Sequence, residues 1–240
     1  MKGAQAILET LYGAGVDTLF ANPGTSEMAL VRAMDDAGTV RAVLALFEGV
    51  VSGAADGYAR MAGRPAATLL HLGPGLANAG ANLHNARRAR SPVVNIVGEH
   101  AREHIALDAP LTTDIEAVAR PFSRWVRTIR TTAQAGPDTA AAIEAARALA
   151  GPATLIVPAD VAWSEGGMPA RVPAAAAPTR PETQRLDLTA DWLRRAGPRA
   201  MLLLGGGALS ARGVAAAARL AAATGARLAA ENFNVRMARG

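Results

Sequence analysis

A glutamate at the junction of an apolar strand and a small-residue helix is the first candidate for chemistry in this sequence. Glu48 follows Phe47 in ALFEGVVSGAADGYAR, with Val50 and Val51 close by and alanine, glycine and serine dense after it. That setting predicts a poorly solvated notch. Poor solvation favours the uncharged form of a carboxyl group, which suits one that must share a proton with a ligand nitrogen. Spacing alone favours a plainer role, in which Glu48 complements the positive end of the helix it begins. His71 ends another apolar run, where side chains of a parallel sheet face the ligand crevice. A histidine there can relay protons or serve the packing.

Two turns flank these residues. Asn22-Pro23-Gly24-Thr25 reads as a tight bend in which Pro23 and Gly24 turn the chain and Thr25 or Ser26 caps the next helix. Gly73-Pro74-Gly75, with Asn78 and Asn82 on the helix behind it, reads as a strand-to-helix turn. Two further strings compete for attention. His100-Ala-Arg-Glu103-His104 fits the H-x-x-E-H pattern of inverted zinc peptidases, but Asp108 and Pro110 soon interrupt the helix such a site needs, and no third ligand follows. Gly205, Gly206 and Gly207, with Glu231 at the end of the next strand, resemble the opening of a dinucleotide fold, except that Ser210 stands where the third glycine belongs.

The elements that must position these groups alternate between helix and strand. Helices are expected over 4–14, 26–38, 48–61, 76–88 and 139–150, and strands over 17–21, 40–46, 66–71, 92–99, 125–129 and 154–157. The strand at 92–99 is almost continuously apolar, as in a sheet covered on both faces. The fold class is therefore α/β, a doubly wound parallel sheet. Prolines at 169, 173, 178 and 181 then mark a connector, followed by a helix, the strand MLLLG, a glycine turn, a helix and a last strand. The expected organisation is a domain over 1–165, a linker over 166–185, and the start of a second, incomplete domain over 186–240.

The succession NPGTSE, FEGVVSGAADGYAR, GPGLANAGANL and SPVVNIVGEH is similar to the pyrimidine-binding domain of thiamine diphosphate enzymes of the acetolactate synthase and benzoylformate decarboxylase group. The resemblance implies that Glu48 hydrogen-bonds the aminopyrimidine ring of thiamine diphosphate and favours its imino tautomer. It implies that Asn22, Pro23, Gly24, Thr25, Gly73, Pro74, Gly75, Asn78 and Asn82 line the cofactor pocket, with Thr25 near the substrate. In the decarboxylase branch a Leu-His pair places a proton-relaying histidine, and Leu70-His71 matches it. The GPG turn resembles the synthase branch instead. The implied activity is decarboxylation of a 2-oxo acid, with acetolactate synthase-like carboligation or benzoylformate decarboxylase-like release. The GGG turn then opens a central domain, where FAD is possible.

The same resemblance implies Mg²⁺ ligated through a Gly-Asp-Gly segment, and none occurs in these 240 residues. No metal ligand is expected on this chain. The diphosphate end is expected on a separate domain of the other subunit of a homodimer or tetramer, or on a second chain, so this chain alone should be inactive. The competing reading outside catalysis is a dinucleotide-binding or oligomerisation module.

Composition narrows the field further. There is no cysteine, which removes disulfides and thiolate chemistry. The net charge is +5, but Lys2 is the only lysine and the densest arginine cluster, Arg87, Arg88 and Arg90, has no interleaved aromatics. No nucleic-acid partner is expected. Absence of a membrane-length apolar run and of signal-peptide features makes a cytoplasmic protein the expectation.

Overall fold

The computed structural model describes residues 1–174 and 179–238; positions 175–178 of the expected connector and the last two residues lie outside the described residues. The chain divides into two compact units, Met1–Ala175 and Ala176–Gly240.

The first unit contains α1 (Gly3–Gly13), β1 (Thr18–Asn22), α2 (Met28–Ala37), β2 (Arg41–Leu44), α3 (Glu48–Ala62), β3 (Ala66–Leu70), α4 (Leu72–Ala89), β4 (Val93–Glu99), α5 (Arg102–Ile105), α6 (Ile115–Ala119), β5 (Trp125–Thr128), α7 (Ala135–Ala148), β6 (Ala153–Pro158) and α8 (Ala159–Trp163). Gly38 and Gly63 end α2 and α3 in the left-handed conformation that lacks a Cβ penalty. Six parallel strands form one sheet in the order β2-β1-β3-β4-β6-β5. The chain leaves β1 toward one edge and returns on its other side at β3. The junction of β1 and β3 is therefore a topological switch point, where a crevice opens at the carboxyl ends of the strands.

Burial explains the strand sequences. β3, β4 and β6 are buried at every residue and read as apolar runs, whereas edge strand β2 is largely exposed. One face of the sheet packs Ile7, Leu8 and Leu11 of α1, Leu30 of α2 and Ile143 of α7 against Leu19, Leu69 and Ile96. The other packs Val51 of α3, Leu76 and Leu83 of α4 and Ile115 of α6 against Leu70, Val97 and Ile156. Polar residues cross the middle of this sheet in register: Thr68 donates to Asn95 over 2.9 Å and Asn95 to Thr154 over 3.1 Å, with Ser123 joining Thr154 at 2.6 Å. Each finds a partner, as buried polar groups must.

Several boundaries differ from expectation. α4 begins at Leu72 rather than 76, so Gly73-Pro74-Gly75 is its first turn and not a separate bend. Proline fits there because first-turn N–H groups have no intrahelical acceptor. α7 likewise begins four residues early and takes in Pro137. The short helices α5, α6 and α8 carry too few residues for a periodic signal.

The second unit holds α9 (Thr183–Ala196), β7 (Met201–Leu204), α10 (Ala211–Thr224) and β8 (Arg227–Ala230), with β7 and β8 paired in parallel. Ser210, in the place of a third glycine, caps α10 by accepting from the Gly213 N–H at 3.2 Å.

Candidate active site

Glu48 is the first residue of α3, with three residues between it and the end of the edge strand β2, and is only 7% exposed. Its carboxylate is held from α4. Asn78 Nδ2 donates to Glu48 Oε2 over 3.0 Å, while Asn82 Nδ2 donates to the Gly49 carbonyl over 2.6 Å and fixes the first turn of α3. The two helices approach closely because small residues line their contact, and Ser52 Oγ bridges to the Ala79 carbonyl at 3.2 Å. The other oxygen, Glu48 Oε1, accepts from no described residue and lies against Gly75, where a Cβ would come within 3.0 Å. A buried carboxylate is thus oriented by one oxygen and left open at the other. It is ready to accept a hydrogen bond from a ligand.

The second cluster straddles the switch point itself. Asn22 at the end of β1 pairs with Leu70 at the end of β3, which brings the Asn22-Pro23-Gly24-Thr25 turn beside His71. His71 Nδ1 lies 2.8 Å from Glu27 Oε2, and the same oxygen accepts from the Gly24 N–H at 2.7 Å. Glu27, not Thr25 or Ser26, therefore closes the turn by reaching back to Gly24. Gly24 has extended rather than left-handed dihedrals, so its value lies in space: a Cβ there would collide with the imidazole of His71. Thr25 is exposed and its hydroxyl points to no described partner. The clusters connect through the start of α4, where the Gly75 N–H donates to the His71 carbonyl at 2.8 Å. Leu72 between them adopts φ 53° although it is buried, a strained conformation for a branched residue.

Sequence reading missed Glu27. It is wholly buried, and burial pushes its carboxyl above the ordinary value against the lowering influence of the Gly24 N–H and His71. Its Oε1 has no hydrogen-bond partner and lies over Gly98 of β4. A usable signal existed: a glutamate three residues after Gly24, at the position where a capping-box side chain returns to the backbone. Gly73 is also a contact point, its Cα lying against Thr113 before α6.

The remaining candidates do not join this group. Glu103 and His104 sit on the four-residue α5 with exposed side chains, and among the described residues no three histidine or acidic side chains are placed to hold a metal ion. No helix among them is long and apolar enough to cross a membrane. Around the mouth of the Glu48 site, Leu44, Phe47 and Val50 are exposed and Leu46 is 91% exposed, an apolar rim.

Residues 1–118 match the family model described as thiamine pyrophosphate enzyme, N-terminal TPP binding domain. The chain is 53% identical over 245 aligned residues, 100% of its length and 46% of the relative's, to the Mycobacterium tuberculosis protein named "Putative acetolactate synthase large subunit IlvX". It is 36% identical over 121 residues, half of this chain and 22% of the relative, to the benzoylformate decarboxylase of Pseudomonas aeruginosa. Among solved structures, a thiamine diphosphate-dependent 4-hydroxybenzoylformate decarboxylase of Rhodococcus jostii superposes with a TM-score of 0.83 at 26% identity, over 96% of this chain and 44% of that one. The chain spans less than half the length of each of these proteins. With the parallel sheet, the switch-point crevice and the half-held glutamate, these matches assign the chain: it carries the N-terminal TPP-binding domain of the thiamine pyrophosphate enzymes, and its homologues are acetolactate synthase large subunits and benzoylformate decarboxylases.

Proposed function

We propose that the chain supplies the aminopyrimidine half of a thiamine diphosphate site in an enzyme that decarboxylates a 2-oxo acid and, in the manner of acetolactate synthase, joins the product to a second carbonyl compound. The observation that carries this reading is the Glu48 carboxylate, buried, fixed through Oε2 by Asn78 and open at Oε1 beside Gly75. Thiamine diphosphate, when bound, supplies a carbon that adds to the 2-oxo group and stores the electrons released with carbon dioxide. In this reading Glu48 Oε1 shares a proton with the ring nitrogen. Gly75 leaves room for the ring to reach it, and Asn78 keeps the carboxylate from rotating away. Asn82 acts one step back, through the Gly49 carbonyl. Asn22, Pro23, Gly24 and Thr25 form the wall on the β1 side, and Gly73 and Pro74 the floor at the head of α4.

The diphosphate and its Mg²⁺ need ligands that these 240 residues do not contain as Gly-Asp-Gly. In this reading those ligands lie on a domain of a partner subunit or on further polypeptide. The exposed rim of Leu44, Leu46, Phe47 and Val50 supports a covering surface of that kind. Calorimetric titration of the 240-residue chain with thiamine diphosphate and Mg²⁺ is expected to show no micromolar binding. Micromolar binding would overturn the half-site reading.

His71 favours a second reading, a benzoylformate decarboxylase-like lyase that protonates and releases its product. Analysis of products from pyruvate and from benzoylformate, with the chain joined to its diphosphate-binding domain, separates the two: acetolactate supports the first and benzaldehyde the second. In the second unit, Glu231 at the end of β8 lies against Gly205, and this supports at most a dinucleotide or FAD role that flavin absorbance would reveal.

A further inference from the structure

Glu27 is a buried carboxyl that the reaction as written does not use. It is 0% exposed, and no arginine or lysine pairs with it among the described residues. Burying a carboxyl group so completely is costly unless it is hydrogen-bonded. Only one of its oxygens is: Oε2 meets both the Gly24 N–H and His71 Nδ1, while Oε1 stays unpaired over Gly98. Two glycines make this possible, since a Cβ on Gly24 would strike the imidazole and one on Gly98 would strike Oε1. Gly24 thus makes room for the imidazole and Gly98 for the carboxylate, so that one ring nitrogen meets one carboxylate oxygen.

We infer that Glu27 is the positioning residue for His71, holding Nδ1 with its hydrogen directed inward and leaving Nε2 as the nitrogen that meets a substrate in the crevice. The inference rests on the reading that His71 works at the cofactor site. A histidine has two equivalent-looking nitrogens, and which one carries the proton is set by the hydrogen bond the other makes. Here Nδ1 is committed to Glu27, and Nε2 has no described partner. When Nε2 takes up a proton, the charge that develops on the ring faces the Glu27 carboxylate across 2.8 Å and is stabilised by it. Because the same Oε2 also holds the Gly24 N–H, the substrate-side turn and the imidazole are tied to one atom. A shift of the turn is therefore felt at the ring.

The test is long-range proton–nitrogen NMR of the isotope-labelled 240-residue chain, which reports the protonated ring nitrogen of each of its four histidines. The His71 signals are assigned by their loss in His71→Asn. Near neutral pH, wild type should carry the proton on Nδ1. Glu27→Gln should keep it there, because the amide oxygen can replace Oε2, whereas Glu27→Leu should give the Nε2–H form. A purely structural role for Glu27 would change melting temperature and leave the tautomer alone. An Nε2–H signal in wild type, or an unchanged Nδ1–H signal in Glu27→Leu, overturns the inference. If Glu27→Leu does not fold, the wild-type and Gln spectra still decide it. In the enzyme completed with its diphosphate-binding domain, Glu27→Leu should lower kcat about 100-fold with KM little changed. If His71→Asn turns over normally while the spectra are as expected, His71 leaves the chemistry but Glu27 still holds it.

Discussion

One sheet holds two sets of buried polar side chains that are treated in opposite ways, one across the middle of β3, β4 and β6 and one in the segments that follow the carboxyl ends of β1, β2 and β4. Across the middle of the sheet, Thr68, Asn95, Thr154 and Ser123 form a continuous chain with every buried polar atom paired. At the carboxyl end, a few residues further on, Glu27 leaves an oxygen bare, Glu48 leaves another, and His100 Nε2 is buried without a partner. A satisfied network locks strand register, because sliding any strand by one residue would strand its members. Unpaired groups at a strand terminus do the reverse. The buried ones, Glu27 Oε1 and His100 Nε2, cost stability, and all three atoms keep hydrogen-bonding capacity that no described residue uses.

That contrast predicts opposite responses to substitution. In the completed enzyme Glu48→Gln should reduce turnover by at least about 100-fold, with a melting temperature equal to or above wild type. Asn95→Ala should show the mirror image, a loss of about 1–3 kcal/mol in denaturant unfolding with turnover per folded molecule unchanged. Equal effects of both on both measurements would erase the distinction. Gly98→Ala lies where the regions meet. Its Cβ would displace Glu27 Oε1, which cannot yield without releasing Gly24 or His71, so a loss of about 1–3 kcal/mol should accompany a loss of activity.

The smallest expected effect is on pH dependence. Burial raises the Glu27 carboxyl above its ordinary value of 4.5, and it raises Glu99 similarly. Below that value both carboxyls are protonated in folded and unfolded chains alike. As pH rises past it, the unfolded chain gives up these protons first, the folded chain holds more, and stability therefore falls with rising pH until the folded groups ionise. Glu27→Gln should flatten part of that slope in urea titrations followed from acid to neutral pH. The corresponding slope should be unaffected by Asn95→Ala.

The alternation of strands and helices was legible because buried parallel strands must be apolar along their length and their covering helices amphipathic. Glu48 stood out as a charged residue at the start of an apolar segment, but local pattern favoured a helix-end charge, and only the succession of motifs resembling the thiamine diphosphate enzymes gave it a cofactor role. The head of α4 was not: Gly73-Pro74-Gly75 has the composition of a turn, and only the packing of Leu72 and Gly75 shows it as helix. Glu27 was hidden for another cause. Thr25 and Ser26 are better cap formers in isolation, and the partner that gives Glu27 its meaning, His71, stands 44 residues away and becomes its neighbour only when β1 and β3 pair.

Glu48 Oε1 is proposed to share a proton with the aminopyrimidine ring and so to activate the cofactor. The most direct measurement is the rate of deuterium exchange at C2 of thiamine diphosphate bound to the completed enzyme in the absence of substrate, read by NMR after acid quench. The prediction is that Glu48→Gln slows this exchange by at least about 100-fold while the cofactor stays bound. Exchange at the wild-type rate in Glu48→Gln with cofactor bound would contradict it.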